Sequence, residues 1–510
     1  MAVRRSAVEN GPAADRAPAD DGARALVAGA ARRALPLADG LALMGYGARE
    51  GGASGILDPL FARALYLSGG GRALLIECDL CLMAVAQARA IRLRVASRTG
   101  LSPHEILVGC THTHSGPDSG LAVSLTGGDP PAHVAGLLDA AVEAGVAAVS
   151  KALPARLGWG ETRARIGRNR RREGAPIDER VPVLRVDRAD GSPLAVAFFH
   201  GCHPTVLGHD NLAYSADWPG AAIRRVEREL AGAIPIFVPS GHADVDPRTR
   251  GLLDLAVEGQ SLGASYREME QLGEEVGEAV AACAERIETR GRERVRTAVE
   301  MVRVPVHGGD GTEEERLLAL ERRRAAALAA VELPPAARPR TAELFAMESS
   351  IIRSRPAGEA RERLARLRLY VRDRTAPRIV GGRVPAIELQ LMELGPRWVL
   401  GLPLECCADV AVEWARRLGD DSAVLVSIAN GWLRYLPHER HFAEPGAEQR
   451  YEILQSTLVP AASRLLLDVA EGLARRMQAD RADGRHGGRA ADPGAPPMGG
   501  GSTAPPRGRA

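Results

Sequence analysis

The chain reads as an α/β protein with a mixed β-sheet core flanked by helices. Two observations predict this class. Short apolar runs bounded by Gly, Pro and Asp alternate with longer segments that are apolar at helical spacing. The 510 residues have an ordinary globular composition, with 45% hydrophobic and 25% charged residues. A third observation concerns position: several of the apolar runs end in histidine or carboxylate side chains, where ligands gather in α/β sheets.

Taken in order, residues 1–23 are polar and rich in Ala, Asp and Pro, and read as disordered. Ala25 to Ala31 and Leu35 to Leu43 are strand or loop candidates leading into Met44-Gly45-Tyr46-Gly47. Leu60 to Leu67, the Gly69-Gly70-Gly71 turn and Ala73 to Cys78 form a hairpin, because glycine supplies the positive φ values. A helix from Ala84 to Thr99 leads to a buried strand, Ile106 to Cys110. His133 to Ala152 carries few charges at helical spacing and is a core helix. Val181 to Val186 and Leu194 to Phe199 are strands joined around Asp190-Gly191, and Ile234 to Pro239 is another. Leu262 to Glu288 is a long amphipathic helix. From about 313 to 374, Arg, Glu, Ala and Leu dominate, and alternating acids and bases favour a solvated helical insertion over nucleic-acid binding. Sheet pattern resumes at Ala386 to Leu394 and Trp398 to Leu402, then a helix at Ala408 to Leu418 and a strand at Val424 to Ile428. Glu452 to Met477 closes the fold as one amphipathic helix, so 24–478 is the folded unit and 479–510 a disordered tail.

Composition excludes several classes. A net charge of +2 leaves no electrostatic footprint for nucleic acid. No uncharged apolar run reaches the roughly 18 residues of a transmembrane helix, and no secretory h-region opens the chain, so a cytoplasmic protein is expected. Seven cysteines are few and odd in number, which argues against a disulfide framework. Cys78 and Cys81 form a C-x-x-C inside an apolar strand, where packing is the better reading than redox chemistry. Neither a Walker A sequence nor a convincing Gly-x-Ser-x-Gly elbow occurs.

The polar strand ends carry the chemistry. Ile106 to Cys110 breaks into Thr111-His112-Thr113-His114-Ser115-Gly116-Pro117. If the strand continues, positions i and i+2 share a face and both imidazoles enter one cleft; the pair fits a structural role equally well. Leu194 to Phe199 runs into His200 and His203, Ile234 to Pro239 into Asp244 and Asp246, and Leu400-Gly401-Leu402-Pro403 into Glu405. Val424 to Ile428 leads toward Tyr435. Two histidines and a carboxylate from separate strands are the donor set of an open, catalytic mononuclear zinc site. Cys110, Cys202, Cys406 and Cys407 stand beside these positions, either as small packing residues or as soft ligands.

These motifs carry a family resemblance. Thr111 to Pro117 resembles the T-H-T-H-S-G-P signature of the neutral/alkaline (non-lysosomal) ceramidase family. Met44-Gly45-Tyr46 is similar to its M-G-Y, and Asp58 to Ala64 to its following strand. His203-Pro204-Thr205 is similar to its H-P-T, and Ser215-Ala216-Asp217 to its S-x-D. Gly401-Leu402-Pro403-Leu404-Glu405 resembles G-x-P-x-E, and Tyr435-Leu436-Pro437 with Arg450-Tyr451-Glu452 resembles its Y-x-T … R-Y-E block. Order and spacing agree over about 26–470.

The resemblance implies one zinc ion per chain, held by His112, His203, Glu405 and Tyr435. It places His114, Arg170 (in Arg168-Asn169-Arg170) and Tyr451 around the substrate. The implied activity is zinc-dependent hydrolysis of a linear amide bond by water, in a small-molecule or lipid-like N-acyl substrate such as ceramide. Two departures stand out. The family's G-D-V-S-P-N, with its serine assigned a catalytic role, reads Ala243-Asp244-Val245-Asp246-Pro247-Arg248, so Asp246 is expected to orient or deprotonate the attacking water. The C-terminal sandwich domain of ceramidases has no counterpart after the closing helix, an expectation from the tail's composition. A binding or regulatory homologue, or an esterase or hydrolase of another small substrate using the same zinc, are the alternatives.

Overall fold

The computed structural model describes residues 23–46, 49–121, 124, 129–172, 174–249, 265–306, 386–419, 423–447 and 450–482. The expected 313–374 insertion and the tail from 483 onward lie outside the described residues, as does nearly all of 1–23.

Two mixed sheets form the centre. The larger has eight strands, ordered Ile234–Pro239, Pro193–His200, Arg180–Arg188, Leu153–Arg163, Val27–Ala34, Phe61–Ser68, Arg72–Cys78 and Ile106–Cys110. Its two outermost pairs are parallel and the inner pairs antiparallel. The smaller orders Val295–Arg303, Ala386–Leu394, Arg397–Gly401 and Ala423–Val426, with only the last pair parallel.

Strand periodicity decides the layering. Leu65, Leu67, Leu184, Phe199 and Val238 of the larger sheet pack with Met392, Leu394, Val399, Val424 and Val426 of the smaller, so the sheets stack face to face. The alternate residues point outward under helices. Ala64, Leu74, Ile76 and Val108 meet Val85–Thr99 and Ala132–Ser150. Val183, Val196, Phe198 and Phe237 meet Asp217–Glu229 and Tyr266–Glu285. Leu389, Leu391, Trp398 and Leu400 meet Ala408–Leu418 and Ala462–Ala482. Four layers result, helix–sheet–sheet–helix. Burial on both faces explains why these strands read as continuous apolar runs.

Three points of the sequence reading are settled or corrected. Of the two alternatives for Leu35 to Leu43, strand or loop, the loop is found, with a single bridge from Leu43 to Pro117. The closing helix is two, Tyr451–Gln455 and Ala462–Ala482, because Pro460 has no amide hydrogen to continue the ladder. The strands from Val295 to Val426 form a second sheet that stacks on the first, an arrangement the sequence reading left open. Among the described residues one helix, Ala132–Ser150, is long and apolar enough to cross a membrane, and its buried stripe packs on the larger sheet.

Candidate metal centre

The parallel strands share a direction, and the loops that leave their C-terminal ends are stitched together. The Ser427 amide donates to Pro239 O (2.9 Å) and its hydroxyl to Ser240 O (2.6 Å). The Asn430 amide donates to Val108 O (2.7 Å), while its Oδ1 accepts from the Val108 amide (3.0 Å). The Ile428 amide donates to Leu404 O (3.0 Å), and the Ala243 amide to Cys406 O (3.0 Å). Ile428 and Asn430 adopt left-handed backbone (φ 59° and 62°), a conformation costly for a β-branched residue and held here by those bonds. This turn brings Glu405, on the segment after the smaller sheet's Arg397–Gly401 strand, to histidines on loops that leave the larger sheet.

Four buried side chains converge there: His112, His203, His242 and Glu405, with their donor atoms within 4.8 Å of one another. The Nε2 atoms of His112, His203 and His242 lie 3.4, 3.7 and 4.0 Å from Glu405 Oε2. Each ring is turned by a backbone carbonyl at its other nitrogen: His112 Nδ1 by Cys81 O (2.9 Å), His203 Nδ1 by His242 O (2.7 Å), and His242 Nδ1 by Ser240 O (2.9 Å). Such second contacts fix the tautomer and aim the Nε2 lone pairs inward. Glu405 is oriented in the same way, its Oε1 accepting from Trp432 Nε1 (2.7 Å). Burial works against the charged carboxylate, but His112 and His203 hold its pKa well below the usual range. Burial and the neighbouring His203 and His112 push the His242 pKa down as well, which for an imidazole means toward the neutral ring.

A divalent ion fits this donor set. His242 Nε2 and Glu405 Oε2 are buried with no aligned hydrogen bond, and an unsatisfied buried polar atom costs about 1–3 kcal/mol. Donors about 2.0–2.1 Å from a tetrahedral ion sit roughly 3.4 Å apart, close to the observed His112–Glu405 separation of 3.4 Å.

Tyr435 is the register partner of Glu405 in the parallel pair Glu405–Cys406 and Tyr435–Leu436, so both side chains share a face. Its ring stands edge-on to Tyr451 (5.5 Å between centroids), and the Arg170 guanidinium lies over Tyr451 at 5.1 Å. Arg170 donates to Glu452 (2.7 Å) and Asp246 (3.2 Å). Arg171 turns elsewhere, to Asp244, Asp409 and Glu444. On the opposite side, His114 Nε2 is 3.3 Å from His112 Nε2.

The two histidines of the signature meet by a different route from the one expected. The strand ends at Cys110, and His112 has φ 67°, so the imidazoles converge through a left-handed turn rather than strand alternation. Gly45 (φ 119°) leaves no space for a side chain beside them, since a Cβ there would lie 2.4 Å from His114 Cγ. The Ser215–Asp217 motif holds the loop that follows His203: Asp217 accepts from the Val206 (3.1 Å) and Leu207 (3.0 Å) amides. His200, also at a strand end, packs on Trp218 away from the cluster.

The sequence reading missed His242. Its signal was available, a histidine three residues after the Ile234–Pro239 strand, but the neighbouring aspartates drew attention instead. The cysteines are all free and buried; burial pushes the Cys406 thiol up to about 12. Cys407 does come near Asp244 and His441. That group is already satisfied, because Asp244 accepts from Asn169, Arg171 and the Ala408 amide, and His441 pairs with Asp409.

Fold and cluster together define a mixed α/β protein with candidate metal ligands at its strand ends. Residues 36–256 match the family described as neutral/alkaline non-lysosomal ceramidase, N-terminal. Two solved structures share the fold. A ceramidase complexed with C2 has a TM-score of 0.64 at 17% identity, covering 89% of this chain and 76% of that one. The neutral ceramidase from Pseudomonas aeruginosa has a TM-score of 0.61 at 18% identity, covering 89% and 75%. Among curated proteins, none matches this chain in sequence.

Proposed function

We propose that this chain is a metal-dependent hydrolase of a linear amide bond in a ceramide-like N-acyl amine, with zinc as the metal. The observation that carries the reading is the convergence of His112, His203 and Glu405 with Tyr435 alongside, from loops of both sheets. His112, His203, Glu405 and Tyr435 would hold the ion. When bound, it supplies a Lewis acid that polarises a carbonyl and makes water acidic enough to attack near neutral pH.

The protein's own groups complete the site. His114, half-buried and edge-on to Tyr46 (4.8 Å), would take the proton that the attacking water loses and pass it to the departing amine. Tyr451 and Arg170 form one wall and offer donors to the developing oxyanion, a contribution of about 3 kcal/mol per well-aimed group. Asp246 is buried and bound to Arg170 (3.2 Å). In this reading it orients that guanidinium, and any part in deprotonating water requires the pair to open. A binding homologue is the second reading, favoured by the same ion pair, which occupies the position of the family's serine.

A panel of ceramide, N-acylethanolamines and N-acyl amino acids, followed by release of free amine, separates the two. Turnover of at least one amide class, lost in His203→Ala, is expected. Tight binding of an N-acyl compound without any amine release would establish the binding homologue instead.

A further inference from the structure

We infer that His242 is itself a metal ligand, so that this chain presents three imidazoles and a carboxylate to its ion, with the Tyr435 phenol beside them. The inference rests on the metal-site reading above, but it adds a residue that the family resemblance does not supply. Four observations carry it. His242 is fully buried, and its Nε2 has no hydrogen-bond partner. That atom lies 4.0 Å from Glu405 Oε2, and the ring is 4.7 and 4.9 Å from those of His203 and His112. Its Nδ1 is engaged by Ser240 O (2.9 Å), which leaves the lone pair at Nε2, facing the other donors.

The fourth observation is that the loop is clamped. Ser427 Oγ donates to the same Ser240 carbonyl (2.6 Å), and a Cβ at Gly241 would lie 2.7 Å from Ala411 Cβ and 3.0 Å from Cys407 O. His242 is thus presented by a rigid backbone, as a ligand must be. Three nitrogens and one carboxylate select a first-row transition cation over magnesium or calcium, which take oxygen shells.

The test uses the full chain, stripped of metal and titrated with Zn2+ against a chromophoric chelator, and separately with Co2+ followed by its visible absorption. His242→Ala and the bulkier, polar His242→Gln are compared with wild type and with His200→Ala. His200 is equally buried but sits against Trp218 outside the cluster. The expected result is Zn2+ affinity weakened about 100-fold or more in both His242 variants, beyond the usual cost of losing a supporting group. The Co2+ bands should change in position and intensity, while His200→Ala keeps wild-type affinity and near-ultraviolet dichroism confirms folding. Unchanged affinity in His242→Gln overturns the inference, as does weaker affinity with an unaltered Co2+ spectrum. If wild-type protein binds neither ion, the metal-site reading itself fails, a separate outcome.

Discussion

His112 concentrates the demands that this site makes on single residues. It occupies a left-handed backbone position, which carries a local cost that surrounding contacts must offset. Burial pulls its pKa down, yet Cys81 and the Glu405 carboxylate outweigh that and hold the ring up to about 10. Without metal, the shift favours a protonated His112 ring facing the Glu405 carboxylate at 3.4 Å. A cation must displace that proton before Nε2 can serve as a ligand. Apparent metal affinity should accordingly rise with pH, roughly tenfold per unit while His112 remains protonated. Titrations at pH 6, 7 and 8 in buffers of different ionisation enthalpy check both the slope and the released proton. A flat profile would show that His112 is already neutral.

Among elements, the turn after Ala423–Val426 does most to bring the site together. Asn430 links three parts: its Oδ1 accepts from Val108, and its Nδ2 donates to Gln390 (2.7 Å) and Glu388 (2.9 Å). It also sits at φ 62°, which alanine tolerates poorly. Asn430→Ala should lose about 3 kcal/mol of stability, from unpaired buried groups plus backbone strain. Asn430→Gly should recover the strain part alone. Denaturant unfolding measures both, and equal losses in the two variants would remove the backbone argument.

The same turn marks where sequence reading stopped. Strands such as Ile106–Cys110 and Ile234–Pro239 were legible because an apolar run bounded by turn residues has few alternatives. The site motifs were legible as well, since histidine and carboxylate at strand ends stand out against apolar neighbours. The convergence of His242 on the other donors and the role of Asn430 were not, because each depends on which strands lie side by side. Nothing local states that the smaller sheet stacks on the larger, so the bonds from Ser427 to Ser240 and from Asn430 to Val108 have no sequence signature. The break at Pro460 was readable but was overridden by amphipathic pattern on both sides.

At the scale of the whole molecule, the candidate donors come from segments that span the chain from His112 to Tyr435 and follow strands of both stacked sheets. An ion held there ties the two sheets together at one edge. It should stabilise the fold by mass action, about 2.7 kcal/mol at a hundredfold excess over its dissociation constant. The most direct test is metal analysis of the purified chain after exhaustive dialysis, beside His112→Ala prepared identically. One equivalent of zinc per wild-type chain is expected, with little in the variant and a lower melting temperature on chelation. Less than about half an equivalent in wild type, with a melting temperature indifferent to both zinc and chelator, would contradict it.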